Sequence, residues 1–307
     1  MTHSHSGEHR FREIILPFII FTSIWGSTWI VIRHQLGFVP AQWSVAYRFL
    51  LAAAAMALLA RIKGHKLRLA PGGLRVAAIL GVLQFCINFN AVYLAERHIT
   101  SGLVATVFAL LLIPNSLFAW AYLGQRPGFR FLASAGIAVA GIALLFLHEL
   151  HDNPAHSSEI MLGIGLTLVG MLAASAANVF QAREEALRHP LTVLLAFAMA
   201  IGAGIDAAVA LVLTGPPVFD PRPEYWFGLA YLALFASALA FSLYFPVVRK
   251  IGPGKAAYSS ALVPIIAMAL STAFEGYRWT LLAAAGAGLA LAGMLLALAG
   301  RGRTITR

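Results

Sequence analysis

The sequence predicts an all-α integral membrane protein in which ten transmembrane helices form two inverted five-helix repeats, with both termini cytoplasmic. Three observations predict this fold: the composition, ten long apolar runs and an internal repeat. Of the 307 residues, 60% are hydrophobic and only 11% are charged, and the mean hydropathy is +0.81. Soluble domains carry about 25% charged residues. Lipid is therefore the expected solvent for most of the chain.

Ten apolar runs are long enough to cross a bilayer, which takes about 20 residues in a helix. They cover residues 14–34, 42–60, 76–95, 101–123, 129–148, 160–181, 191–214, 225–247, 256–274 and 279–299. The predicted organisation is a cytoplasmic tail (1–13), a first five-helix repeat (14–148), a periplasmic linker (149–159), a second repeat (160–299) and a second cytoplasmic tail (300–307). The connections are short, so no soluble domain is expected.

The internal repeat relates residues 89–143 to residues 241–295 at a constant offset of 152 positions, without a gap. Phe89 matches Phe241, Arg97 matches Arg249, and Gly124 matches Gly276. The copies begin in the third and eighth runs, five spans apart, so they should cross the membrane in opposite directions. Inverted halves suit alternating access around a site near the midplane. A duplicated membrane scaffold without transport activity is the competing interpretation.

Lysine and arginine predict the orientation, because cytoplasmic loops carry an excess of them. One alternating set of loops holds 17 of the 22 basic residues, and the other set holds 4. The net charge of +10 is therefore assigned to topology and anionic headgroups rather than to nucleic acid. Cys86 is the single cysteine, which excludes a disulfide framework and a cysteine-based metal site. We expect no metal and no cofactor, and a monomer, with a dimer as the alternative.

Enzyme motifs are absent from the sequence, so we predict that the protein is not an enzyme. Gly252-Pro253-Gly254-Lys255 looks like a phosphate-binding loop, but Arg249 stands at the leading glycine position. Ala256 replaces the hydroxyl residue that would reach a magnesium ion. Without a nucleotide-binding domain, transport would be secondary and driven by gradients.

Polar side chains inside the apolar runs are costly unless they face protein or water. They concentrate in runs one, three, four, six, eight and nine, whereas runs five and ten are rich in alanine and glycine and are typical of packing helices. We predict a wet central cavity between the polar runs. The substrate-binding candidates are Trp25, Gln84, Asn88, Tyr93, Thr106, Asn178, Tyr244 and Tyr258. For any single side chain, an interhelical hydrogen bond is the alternative.

Two charged residues lie deeper in the apolar runs. At 1.5 Å per helical residue, Arg48 is about 9 Å past Gln42, and Asp206 is about 12 Å from the nearer end of its run. Three roles remain open: an ion pair between Arg48 and Asp206 that holds the halves together, titration of Asp206 in proton coupling, and binding of a substrate carboxylate by Arg48.

Short motifs follow one another along both halves. They are Trp25-Gly26-Ser27-Thr28-Trp29, Pro40 before Tyr47-Arg48, Tyr93 before Ser101-Gly102-Leu103, Leu123-Gly124-Gln125 before Gly136 and Gly141, and Gly276 before Gly288 and Gly293. Their order resembles the EamA type of the drug/metabolite transporter superfamily over about residues 14–300. The resemblance implies a ten-helix carrier of the bacterial cytoplasmic membrane that exports small metabolites, often amino acids, by facilitated diffusion or proton exchange.

One departure from the family pattern concerns glutamate. Gln125 and Tyr277 stand where the family often has glutamate, and Glu275 comes two places early, so we assign no coupling role there. We expect a secondary transporter that exports small metabolites by alternating access, with amino acids as the favoured class, aromatic ones included. A carrier of drugs, nucleosides or vitamins, an intramembrane enzyme, and a non-transporting scaffold are the alternatives.

Overall fold

The computed structural model describes residues 14–152, 156–256 and 259–299 of the chain. Over these residues the regular structure is helical, with no strand. The helices are α1 (Leu16–Gln35), α2 (Ala41–Ile62), α3 (Gly73–Ala95), α4 (Ser101–Leu123), α5 (Phe129–Asp152), α6 (Ser157–Gln181), α7 (Leu191–Thr214), α8 (Pro223–Ile251), α9 (Ser259–Phe274) and α10 (Leu281–Ala299). Two helices of four residues, Glu184–Leu187 and Pro253–Ala256, lie in the connections.

Eight helices in the described part of the chain, α1 to α8, are long and apolar enough to cross a membrane. The chain is therefore a multi-pass membrane protein, as the composition predicted. The apolar parts described for α9 and α10 are shorter, Leu262–Phe274 and Leu281–Leu296. Ten crossings therefore stay a prediction for these last two helices.

Helix ends follow the turn residues of the sequence. Pro40 and Pro190 immediately precede α2 and α7, where the fixed proline φ favours the start of a helix and its missing N–H costs nothing. Gly124 ends α4 with φ of +69°, and Gly276 follows α9 with φ of +70°. Only glycine adopts this left-handed backbone freely. These two glycines are partners in the sequence repeat.

Two helices contain a π-helical segment, Gly81–Ile87 in α3 and Tyr231–Leu239 in α8. The two segments overlap when the sequence is shifted by the repeat offset, since residue 87 then falls on residue 239. A π-helical turn is rare and is frequently found at functional sites. Nothing in the sequence indicated these segments.

The helices α5 and α10 pack closely along glycine faces. A Cβ atom added to Gly141 would lie 2.3 Å from the backbone nitrogen of Ala290, and one added to Gly293 would lie 2.4 Å from that of Ala138. Backbones can approach this closely only where side chains are small. The structure thus agrees with the prediction that runs five and ten are packing helices.

The other packing pairs recur when five is added to each helix number, with the count continuing from α10 to α1. The helix α1 packs against α9, and α6 packs against α4. In the same way, α3 packs against α6 and α7, while α8 packs against α1 and α2. The helices α2 and α7 pack against each other. The polar helices α1, α3, α4, α6, α8 and α9 thereby come together.

Interhelical contacts define the two ends of the bundle. At one end Arg33 Nε lies 3.7 Å from Glu275 Oε1, and His98 Nδ1 lies 3.2 Å from Glu159 Oε2. We name this the Glu275 end. At the other end, the Arg249 end, Arg249 Nη2 donates to Gln181 Oε1 at 2.9 Å.

Candidate substrate-binding site

A cavity lies between the polar helices and has an empty volume of about 770 Å³, which includes its open mouth. Small-molecule sites commonly combine apolar walls with a few polar groups. This cavity follows that pattern. It is lined by Trp25, Thr28, Trp29, Ile32, Arg48, Gln84, Asn88, Phe89, Val92, Ala105, Phe108, Ala109, Leu111, Ala174, Asn178, Phe241, Tyr244, Ser259 and Val263.

Arg48 is the charged residue of the cavity wall, and its side chain is fully buried. Its Nε donates to Ser237 Oγ at 3.0 Å. The guanidinium carbon lies 4.4 Å from the ring centre of Phe89 and 5.3 Å from that of Phe49, within the range of a cation–π attraction. Nη1 and Nη2 make no hydrogen bond of standard geometry to the described residues, and the Tyr93 hydroxyl lies near the guanidinium. Two donor nitrogens therefore remain for a ligand.

Gln84 and Asn88 supply hydrogen-bond acceptors to the cavity. They lie four residues apart on α3, and Val92, a further four residues on, also lines the cavity. Asn88 Nδ2 donates to the backbone oxygen of Gln84 at 3.4 Å. Gln84 Oε1 and Asn88 Oδ1 are buried without a hydrogen-bond partner among the described residues. Each buried unpaired acceptor costs about 1–3 kcal/mol, and a donor on a ligand would remove that cost.

Glu96 continues the same four-residue spacing, one turn beyond Val92. Its side chain is fully buried, and neither carboxyl oxygen has a hydrogen-bond partner among the described residues. Burial raises the pKa of Glu96 well above its usual range, the nearby Glu275 adds to the effect, and Arg33 and Arg48 oppose it. Glu96 was not among the candidate residues that the sequence indicated. The spacing 84, 88, 92, 96 was the signal that could have found it.

Aromatic rings form one wall of the cavity. Trp25 Nε1 donates to the backbone oxygen of Ala236 in the π-helical segment of α8, at 3.0 Å, which fixes the indole. The Trp25 ring centre lies 4.9 Å from that of Tyr244 and 5.4 Å from that of Phe241, both edge-on. Such aromatic pairs hold each other in place. Sequence reasoning named Trp25 and Tyr244 but missed Phe241.

Asn178 on α6 connects the cavity to the Arg249 end. Its Nδ2 donates to Asn115 Oδ1 at 3.5 Å, and Asn115 Nδ2 donates to the backbone oxygen of Pro253 at 3.4 Å. Both asparagines are buried. The cavity wall therefore passes directly into a polar contact between α4, α6 and the connection that follows α8.

The structure places Trp25, Gln84, Asn88, Asn178 and Tyr244 around one cavity, together with Arg48. Their role in substrate binding stays a prediction. Tyr258 lies outside the described residues.

Tyr93 and Thr106 lie outside the cavity lining. The Tyr93 hydroxyl donates to Gln35 Oε1 at 3.1 Å, and the Thr106 hydroxyl donates to the backbone oxygen of Gly102, one turn earlier, at 2.7 Å. Both side chains are buried. Their polarity is satisfied by α1 and by the α4 backbone rather than by the cavity.

Asp206 is fully buried between α7 and α3, outside the cavity lining. Its Oδ1 accepts a hydrogen bond from Asn90 Nδ2 at 2.7 Å. An ion pair between Arg48 and Asp206, one of the three predicted roles, is not formed among the described residues, because Arg48 faces Ser237 and Asp206 faces Asn90. Over the same residues, no group of three or more potential metal ligands occurs.

Comparison with known proteins now identifies the family. Residues 13–147 and 161–299 both match the EamA-like transporter family. The chain belongs to this family. The two matched segments together cover most of the chain.

Several proteins are similar over almost their whole length. The "uncharacterized inner membrane transporter YedA" of Escherichia coli K12 is 27% identical over 276 residues, which cover 87% of this chain and 85% of YedA. A "probable amino-acid metabolite efflux pump" of Salmonella typhimurium LT2 is 26% identical over 286 residues, 91% of this chain and 92% of the pump. A crystal structure with 22% sequence identity superposes with a TM-score of 0.69, covers 94% of this chain and 98% of its own, and shows that the fold is shared.

Proposed function

We propose that this EamA-like transporter is a secondary carrier of the cytoplasmic (inner) membrane that exports small zwitterionic metabolites. Amino acids, aromatic ones included, are the substrate class that we infer. One observation carries the proposal: a single cavity holds two unpaired guanidinium nitrogens, two unpaired amide oxygens and a wall of aromatic rings.

Each part of an amino acid has a counterpart in the cavity. The unpaired Nη1 and Nη2 of Arg48 suit a carboxylate, which accepts two parallel hydrogen bonds from a guanidinium. Gln84 Oε1 and Asn88 Oδ1 suit the protons of an ammonium group. A ligand with only one of these charges would leave the other pair of buried polar atoms unsatisfied.

The aromatic wall suits an apolar or aromatic side chain. Trp25 and Tyr244 expose their rings to the cavity, and Phe108 and Trp29 lie on the wall formed by α4 and α1 with ring centres 5.4 Å apart. Ring pairs of this kind add about 0.5–1.5 kcal/mol beyond the burial of apolar area. We infer that tryptophan and phenylalanine bind more tightly than alanine or glycine.

Polar contacts at the two ends of the bundle support alternating access. On the side of the Glu275 end, the Tyr93 hydroxyl donates to Gln35, Gln35 Nε2 donates to the Tyr225 backbone oxygen at 3.3 Å, and the Tyr225 and Ser44 hydroxyls lie 2.8 Å apart. At the opposite end, Arg249 also donates to the backbone oxygen of Ala186. Such hydrogen bonds exchange readily with water, so either end can open at modest cost.

Several features support an inverted arrangement of the two halves. The π-helical segments, the glycine helix ends and the packing pairs all recur at the repeat offset or five helices later. His98 and Arg249 contact α6 near its opposite ends, through Glu159 and Gln181. The distribution of lysine and arginine then favours cytoplasmic termini.

The direction and the membrane are inferred from relatives. YedA is described as an inner membrane transporter, and the Salmonella relative as an amino-acid metabolite efflux pump. Both cover more than four fifths of this chain, so the similarity extends over both halves.

Counterflow in proteoliposomes tests the proposal. Vesicles loaded with unlabelled tryptophan should accumulate labelled tryptophan, and unlabelled phenylalanine should compete. N-acetyltryptophan, which lacks the ammonium, and tryptophanamide, which lacks the carboxylate, should compete at least about 30-fold more weakly, because each leaves a hydrogen bond to a charged group worth about 2 kcal/mol unmade.

Arg48→Met is the matched variant for this experiment. It should weaken tryptophan binding by at least about 30-fold, and it should remove the discrimination against tryptophanamide. Arg61→Met, at the exposed end of the same helix, is the control and should change neither. If correctly inserted protein moves no amino acid but moves nucleosides or cationic drugs, the zwitterion assignment is wrong. If it moves no solute at all, the chain is a scaffold.

A further inference from the structure

The contact between Asp206 and Asn90 lies on the side of α3 that faces α7. Asn90 Nδ2 donates to Asp206 Oδ1 at 2.7 Å, so one hydrogen bond joins the two side chains. The other carboxyl oxygen, Asp206 Oδ2, and the amide oxygen, Asn90 Oδ1, are buried and have no hydrogen bond of standard geometry among the described residues. Both of these atoms are acceptors when Asp206 is ionised, so neither can satisfy the other.

A single proton on Asp206 would satisfy both unpaired oxygens of this contact. A carboxylic acid and a primary amide join in a ring of two hydrogen bonds: the amide N–H donates to one carboxyl oxygen, and the carboxyl O–H donates to the amide oxygen. The first of these bonds is present in the structure. A proton on Asp206 Oδ2 supplies the donor for the second and satisfies both unpaired atoms at once.

In the part of the chain that the structure describes, no basic group pairs with Asp206. From α3, Cys86 is the titratable group that faces Asp206, and its Sγ lies 3.9 Å from Asn90 Nδ2. From α2, the buried charge is Arg48, which is held by Ser237 of α8. An ionised Asp206 would therefore be a buried carboxylate whose donors are one amide and the weakly donating thiol of Cys86, inside a membrane-spanning helix.

We propose that Asp206 and Asn90 form a proton-binding site, which is occupied in this conformation and releases its proton to water when α3 and α7 separate. The proposal rests on the proposed function and adds the coupling ion to it. The reaction is a proton transfer alone: the Asp206 O–H bond breaks, the proton goes to water, and a carboxylate remains. No oxidant or other reactant is needed.

The position of the site explains how the proton would act on the substrate. The helices α3 and α7 touch through their backbones, since a Cβ added to Gly81 would lie 2.8 Å from the backbone oxygen of Ala198. Gln84 lies in the π-helical segment that begins at Gly81, and Asn88 follows that segment. Both line the cavity, so the part of α3 that touches α7 on one side forms the cavity wall on its other side. A movement of α3 relative to α7 must therefore move the two amide oxygens proposed for the substrate ammonium.

Infrared spectroscopy of the full chain in lipid nanodiscs tests the site without any substrate. The C=O stretching band of a protonated carboxylic acid should still be present near neutral pH. Raising the pH from about 5 to about 9 should remove the band, because the proton is lost. Asp206→Asn should remove this band, while an amide–amide pair preserves both hydrogen bonds and the fold. Glu96→Gln is the control, because the band that depends on Asp206 should persist in it.

A second variant keeps the test decisive if Asp206→Asn does not fold. Asn90→Ala leaves the acid but removes its amide partner, so the carboxylic acid band should remain and shift in frequency. In proteoliposomes, the tryptophan flux of Asp206→Asn should lose its pH dependence, while tryptophan binding should stay within about 2-fold of the wild type, since Asp206 is outside the cavity.

An unchanged carboxylic acid band in Asp206→Asn, or a band insensitive to Asn90→Ala, would overturn the proton site. The same holds if Asp206→Asn retains the full pH dependence of flux. If instead the wild type shows the band but transports no amino acid, the proton site stands and the substrate assignment fails, so the two outcomes are distinguishable.

Discussion

The contact between α3 and α7 and the contact between α8 and α2 are built alike but carry different chemistry. In each, a helix that follows a proline packs against a helix that contains a π-helical segment. Asp206 comes 16 residues after Pro190 (206 − 190), and Met56 comes 16 residues after Pro40 (56 − 40). Asp206 meets Asn90, whereas Met56 accepts a hydrogen bond from Ser242 at 3.4 Å. Asn90 and Ser242 are themselves partners in the sequence repeat.

The charge of α2 lies at a different position, counted from the proline that precedes each helix, and it faces another neighbour. Arg48 comes 8 residues after Pro40 (48 − 40), and the corresponding position of α7 is Ala198 (190 + 8). Arg48 lines the cavity, whereas Asp206 faces α3 outside it. The duplicated halves therefore share a packing geometry and divide the chemistry: one half holds the group proposed for the substrate, and the other holds the group proposed for the proton.

The largest effect is expected when an acid is placed at position 56, which corresponds to Asp206 in the other contact. In Met56→Asp, a carboxyl would be buried beside a single hydroxyl, with no amide to form the ring of hydrogen bonds. We expect a loss of about 3 kcal/mol of stability, because the buried acid is poorly paired and the methionine contacts are lost. The midpoint of thermal unfolding in detergent should fall by at least about 6 °C.

The paired variant Met56→Asp with Ser242→Asn is the control for this transplant. The asparagine supplies the missing amide, so the double variant should regain at least half of the lost stability and gain a second carboxylic acid band in the infrared spectrum. No recovery would mean that the Asn90 amide is not what stabilises the buried Asp206.

A glycine of the α3–α7 contact tests the closeness of the two backbones. A Cβ added to Gly202 would lie 2.8 Å from Phe85 Cβ and 3.0 Å from the backbone oxygen of Gly81. Gly202→Ala should therefore cost about 2 kcal/mol through overpacking. The corresponding position of α2 is Ala52, and Ala52→Gly should cost less than about 1 kcal/mol. Equal melting temperatures for the two variants would contradict the closer approach of α3 to α7.

Glu96 sharpens the comparison because its repeat partner is the buried Val248. Burial raises the pKa of Glu96, so the folded protein holds this proton more tightly than the unfolded chain. Its contribution to stability is full in acid and is lost as the pH rises through the folded pKa. Glu96→Gln should remove this pH dependence and raise the melting temperature above pH 7 by about 2–4 °C, as expected for about 1 kcal/mol in a chain of this size.

Glu159→Gln is the matched control for Glu96→Gln. The Glu159 side chain is 58% exposed, so its replacement should leave the pH dependence of melting as in the wild type. If the melting temperature of the wild type instead rises as the pH is raised above 7, Glu96 is ionised in the folded protein.

The smallest effect is expected at Ser242. Its hydroxyl already donates to the backbone oxygen of Ala238 at 2.6 Å, and the Met56 sulfur is a weak acceptor. Ser242→Ala should change stability by less than about 0.5 kcal/mol and leave the pH dependence of flux unchanged. A large effect on either would show that the second contact also carries a function.

The sequence predicted the features of this molecule that depend on local composition. Apolar length predicted the spans of α1 to α8, and small residues predicted the packing of α5 and α10. Polar residues within apolar runs also directed attention to Arg48 and Gln84, because such residues are rare in lipid unless they face protein or water.

What the sequence could not predict depends on contacts between distant helices. The π-helical segments have no local signature, and the Tyr93 hydroxyl donates to Gln35 of α1, a partner that only the packing supplies. Arg48 and Asp206 lie at similar predicted depth, but depth does not determine which way a side chain points around its helix. That is why the predicted ion pair is not formed.

The glycine seam between α5 and α10 has a consequence for biosynthesis. Leu281 emerges from the ribosome 129 residues after Asp152, so the glycine face of α5 lacks its partner while α6 to α9 are synthesised. During that interval only lipid or an insertion chaperone can shield it. Closure of this seam is therefore a late step in assembly, and a bulky residue at position 141 would trap the newly made chain before its final helix docks.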